Sequence, residues 1–143
     1  MMSARSTSPR DPLLRRSREA LSALGVQFLL GMGANLIGAP QENPAASRAI
    51  AGVVLGLHVL VGIGVIVVAV RALITARRQR LGRSEALWAL VVLSLTFLFG
   101  VGTMITGNDW LSFLMAAGTA VAAALYIRTA VLGARSASVL AEG

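Results

Sequence analysis

From Ala49 to Val70 the chain reads AIAGVVLGLHVLVGIGVIVVAV, with no formal charge and one ionisable side chain, His58, close to its middle. A run of this length matches the roughly 20 residues, about 30 Å at 1.5 Å each, that cross the hydrocarbon core of a bilayer. It predicts a transmembrane helix around which the remaining segments pack.

The rest of the composition agrees. The chain has 143 residues, room for one domain, of which 56% are hydrophobic and 13% charged. Its mean hydropathy is +0.76, and a soluble domain of this size would not normally carry so much apolar surface. The formal net charge is +7, but no interleaving of basic and aromatic residues points to nucleic acid, which is set aside as a partner. All 13 basic residues are Arg, a bias expected of a GC-rich bacterial coding sequence. Cys is absent, which excludes disulfides, thiolate metal sites and cysteine nucleophiles together.

Residues 1–18, MMSARSTSPRDPLLRRSR, are rich in Ser, Pro and Arg and read as a disordered cytoplasmic arm. A four-helix transmembrane domain is expected over 19–133, with helices at about 19–39, 49–75, 85–106 and 109–132. Residues 134–143 read as a short cytoplasmic tail. Arginine followed by an apolar run also describes a secretory signal. Here the run exceeds a signal's roughly 7 to 15 apolar residues, and the nearest small-residue site, Ile37-Gly38-Ala39, precedes Pro40, so an uncleaved first helix is expected. Pro40 and Pro44 end one helix and start the next, and Gly107-Asn108-Asp109 makes a tight connection, with Asp109 as the N-cap of the fourth helix.

The arginines set the topology. Arg5, Arg10, Arg15, Arg16 and Arg18 lie before the first span. Arg71, Arg77, Arg78, Arg80 and Arg83 lie between the second and third, and Arg128 and Arg135 at the end, leaving Arg48 alone on the other side. The positive-inside rule then gives four spans in an antiparallel bundle with both termini cytoplasmic, in a bacterial cytoplasmic membrane. Arg15, Arg16, Arg18, Arg77, Arg78 and Arg80 are placed to meet anionic headgroups. Arg128 is expected to snorkel to the interface, and Trp88, Trp110 and Tyr126 to occupy the aromatic belts.

Helices in lipid associate through small residues and interhelical hydrogen bonds, and the sequence supplies both. Gln27, Gly31 and Asn35 share a stripe on the first helix; Gly52 and Gly56 form a small-xxx-small pair on the second, where His58 and Gly62 share another face. Thr96, Gly100 and Thr103 recur on the third, and Thr119 lies on the fourth. Gln27, His58, Thr96 and Thr119 each fall near a helix midpoint, with Asn35 and Thr103 nearer the outer face, so a polar midline layer is expected above an inner half of Val, Leu and Ala.

QFLLGMGANLIGAP in the first span, LHVLVGIG in the second and FGVGTMITGNDW leading into the fourth resemble uncharacterised small bacterial four-helix integral membrane proteins. The likeness covers about residues 20 to 131 and implies an all-α membrane fold and a location, without an activity. A His after a proline in the first outer loop, which belongs to those proteins, is replaced here by the Asn43-Pro44 region.

The membrane-embedded part holds no pair of carboxylates for proton pumping or metal binding, and Ser22, Ser94 and Ser112 have no chain-adjacent base. No catalytic residue and no metal site is expected, and the chain does not read as an enzyme. The leading expectation is a structural or accessory subunit that binds copies of itself or a larger membrane complex through small-residue faces. The alternative is binding or transport of a small solute, a lipid or a proton through the midline around His58. A third reading is a haem or quinone redox protein, in which a single His per chain would need Met, a five-coordinate iron or a second copy to complete haem ligation.

Overall fold

The computed structural model describes residues 12–142, and among these it is almost entirely helical. Its elements are α1 (Pro12–Ile37), a 3-10 turn (Pro40–Glu42), α2 (Ala45–Gln79), α3 (Arg83–Thr106) and α4 (Asp109–Glu142). Each helix packs on two neighbours in a closed ring, α1 on α2, α2 on α3, α3 on α4 and α4 on α1, while the diagonal pairs do not pack together. This is a four-helix bundle. All four helices are long and apolar enough to cross a membrane, and only 11% to 17% of each candidate span is buried inside the chain. Leu29, Leu36, Leu60, Leu98 and Ile105 are all more than 60% exposed. A surface so apolar suits lipid rather than water around it.

Helix limits differ from the expected ones mainly at the charged ends. α1 starts at Pro12, well before Glu19, because proline suits a first helical position that needs no N–H partner. Leu13 and Ser17 are fully buried, so 12–18 is packed helix; the first eleven residues of the expected arm lie outside the described residues. α2 runs on to Gln79 and α4 to Glu142, past the limits of 75 and 132. Hydropathy marks where a helix leaves lipid, whereas Ala, Arg and Leu propagate a helix equally well in water. The stretch read as a C-terminal tail is therefore helical through Glu142.

Each connection has a distinct local cause. The amide of Asn43 donates to the Ile37 and Ala39 carbonyls at 3.0 and 2.9 Å, satisfying one acceptor at the C-terminus of α1 and one in the turn that follows. Arg80 (φ 56) and Gly82 (φ 63) both take the left-handed conformation between α2 and α3. At the third connection Gly107 (φ 65) ends α3. Asn108 then caps α4, its Oδ1 accepting from the Trp110 N–H at 2.9 Å. This corrects the expectation for Asp109, which instead occupies the first turn of α4, where its negative charge faces the positive end of the helix dipole.

The core sits in one half of the bundle. Its main cluster joins Ala20 and Leu24 of α1, Val65, Ala69 and Ala72 of α2, Ala89 and Leu93 of α3, and Ala122 and Tyr126 of α4. A smaller cluster of Leu13, Leu73, Ala76 and Ala86 continues it towards the α2–α3 connection. Alanine dominates because, without a strong hydrophobic drive in lipid, stability comes from close backbone approach. Beyond the level of Gln27, Gly62 and Thr96, Ala51 alone among the described residues is buried. Tyr126 is 0% exposed within this core, which corrects its assignment to an aromatic belt. Trp88 (58% exposed) and Trp110 (73%) do face outward.

Candidate functional site

Above the alanine core the first polar group is Gln27, on α1, whose Nε2 lies 3.3 Å from Nε2 of His58 on α2. Two glycines make this contact possible. A Cβ on Gly31 would lie 2.9 Å from His58 Cε1, closer than real side chains come, and one on Gly62 would lie 3.1 Å from Gln27 Nε2 and 3.5 Å from Phe97 of α3. Each glycine is the seat for the polar side chain of the opposite helix, which is the close approach that only a residue without Cβ permits. A third contact, Gly33 against Val54, continues the seam, with numbers rising along α1 as they fall along α2.

Donation from the Gln27 amide to His58 Nε2 requires the tautomer that carries its proton on Nδ1. That Nδ1 and the Gln27 Oε1 are both buried and without a hydrogen-bond partner. The pair is therefore half satisfied: one interhelical bond is made, and one donor and one acceptor remain open. Such groups are rare in folded proteins.

The expected polar layer is not one ring. Thr96, Thr103 and Thr119 return their hydroxyls to their own helices, to the carbonyls of Val92, Phe99 and Met115, at 2.8, 3.0 and 2.9 Å. A threonine in a helix satisfies itself this way at no cost in burial. Thr96 instead contributes shape, its side chain filling the space beside Gly118 of α4. Gly100 plays the same part for the Met115 sulfur, 3.1 Å from where a Cβ would be. Asn35 is exposed and stands apart from the Gln27–His58 pair. Phe97 and Gly118 carried no signal in sequence, since their importance depends on which faces meet.

Gly52 and Gly56 behave differently. Beyond its own stretch of helix, neither has any atom of the chain within 4 Å of where a Cβ would stand, and the same holds for Gly64. Spacing of four residues and multiples of it places all three on one ridge of α2, so this ridge is turned away from the bundle. The arginines expected at headgroups lie at one end of the molecule with the α2–α3 connection. Arg15 and Arg16 both approach Glu19, at 3.6 and 2.6 Å, while Arg18, Arg77, Arg78 and Arg80 are exposed. Among the described residues no three His, Cys, Asp or Glu side chains come together as a metal site. No family model matches the chain, and neither a curated protein nor a solved structure is significantly similar to it.

Proposed function

We propose that this chain is a structural or accessory subunit of a bacterial cytoplasmic membrane, an antiparallel bundle with both termini cytoplasmic, which associates with copies of itself or a larger membrane partner through α2. The observation that carries this reading is the outward pair Gly52 and Gly56, whose ridge continues past the exposed Leu60 to Gly64 with no neighbouring helix packed against the glycines. A glycine facing lipid forfeits side-chain contacts, whereas a glycine facing another helix allows backbones to approach closely, and small-xxx-small ridges drive association in membranes. The opposed numbering of the α1 and α2 contacts supports the antiparallel arrangement, and the twelve-to-one division of arginines supports the orientation.

The test is crosslinking in native membranes and sedimentation in mild detergent. Gly56→Leu, alone and with Gly52→Leu, is expected to remove the oligomer or the co-purifying partner while leaving the helical content unchanged, because no contact within the chain is disturbed. An oligomer that survives both substitutions excludes this face.

A second reading rests on the open valences of Gln27 Oε1 and His58 Nδ1, an acceptor beside a donor, which suit a proton carrier or a small polar solute at mid-membrane. It predicts that His58→Ala lowers proton or solute flux into liposomes by at least tenfold. Equal flux in the variant and the parent protein rejects it. Haem or quinone binding has less support, since it rests on His58 alone; a colourless sample after haem supplementation disfavours the haem form.

A further inference from the structure

At the end of the bundle opposite the open half, α3 and α4 flank a cleft of about 260 Å³ lined by Glu85, Ile127, Arg128, Val131, Leu132 and Arg135. The four α4 residues Arg128, Val131, Leu132 and Arg135 follow i, i+3, i+4, i+7 spacing and so form one helix face. That face is basic at both ends and apolar between them. From α3, Glu85 approaches Arg128 at 3.8 Å, too far for a hydrogen bond, and it leaves most of the five guanidinium donors of Arg128 unengaged. Arg128 is 73% exposed at its side chain while Glu85 is 20% exposed, so the guanidinium lines the cleft from its open side. No described acid pairs with Arg135. Ile127 and Val131 are 54% and 44% exposed, and this apolar wall begins at the level where the arginines lie.

We propose that this cleft is a binding site for one anionic phospholipid, its phosphodiester held between Arg128 and Arg135 and its acyl chain laid against Ile127 and Val131. Two arginines against one carboxylate leave the cleft with a charge of +1, which complements a headgroup whose phosphate is its sole charge and not one that carries its own ammonium. Arginine is suited to the task because its planar fork meets two phosphate oxygens at once. Basic pockets between helices on the cytoplasmic side recognise anionic lipid in this manner, beyond the diffuse attraction of surface arginines. Free phosphate offers the same charge but nothing to cover the apolar wall.

The site is tested on the full chain, delipidated in mild detergent, by native mass spectrometry and by the unfolding midpoint with added phosphatidylglycerol, phosphatidylcholine or inorganic phosphate. Phosphatidylglycerol is expected to be retained one to one and to raise the midpoint; the other two are not. Arg128→Gln with Arg135→Gln weakens retention at least tenfold, whereas Arg77→Gln with Arg78→Gln does not. Glu85→Gln tightens it, a gain that damaged folding does not produce. Equal retention of the two lipids, an equal loss in the Arg77/Arg78 variant, unchanged retention on Glu85→Gln, or a full effect from inorganic phosphate alone overturns the proposal. Because the cleft involves α3 and α4 and the proposed association face lies on α2, either can fail without the other.

Discussion

Tyr126→Ala is expected to lower the stability of the bundle by about 3–5 kcal/mol, while Tyr126→Phe is expected to be neutral or stabilising, as measured by reversible unfolding in mixed micelles. The two substitutions separate packing from polarity at one position. Among the described residues Tyr126 is the largest fully buried side chain, and it lies in a cluster to which all four helices contribute. Its neighbours are chiefly alanines, whose short side chains do not extend to fill a void. Removing the ring therefore forfeits dispersion contacts within this cluster. The hydroxyl has no hydrogen-bond partner, so deleting it removes a buried unsatisfied group. A Phe variant that unfolds as readily as the Ala variant would show that the hydroxyl is satisfied after all, and would refute this account of the core.

The second large effect is expected on the α3–α4 seam. Any Cβ at residue 118 would collide with the hydroxyl oxygen of Thr96, which is itself tied to the Val92 carbonyl at 2.8 Å. Gly118→Ala must therefore rotate Thr96, break that bond or separate the helices, at a cost of about 1–3 kcal/mol. The same exchange would ordinarily favour a helix by up to about 1 kcal/mol, so the sign of the effect identifies the clash. Thr96→Ala in the same chain removes the colliding atom and is expected to restore most of the loss, a coupling that a double-mutant cycle measures. Additive losses would mean that the two residues do not meet.

These contacts show where sequence reading reaches and where it stops. The four helices were legible because apolar length is a local property: Ala49 to Val70 announces a span whatever lies beside it. The charged ends were not, since hydropathy does not distinguish a helix that stops at the interface from one that continues into water, as α2 and α4 do. The Gln27–His58 pair was legible as two polar residues near helix midpoints. The threonines were misleading for a physical reason, since their hydroxyls can be satisfied within one helix and so say little about a neighbour. Tyr126 was misplaced because its distance from the helix end suggested depth, whereas burial depends on rotation about the helix axis. The partners of Gly31, Gly62 and Gly118 depend on register between helices, and periodicity within one helix carries no information on that.

The concentration of the core in one half has a consequence for how the molecule moves. Local opening free energies follow buried contact, from near zero at loosely held ends to the global value in the core. Leu13, Ala76 and Ala86 clasp the helices at the arginine-rich end, whereas the far ends of α1, α2, α3 and α4 are held by few interior side chains. The bundle is thus a four-limbed clasp, stiff at its base and compliant at its tips. Amides around Ile105 and Leu36 are expected to exchange with solvent or lipid-accessible deuterium long before those around Ala69 and Ala89, and thermal excursions to spread the tips without disturbing the base.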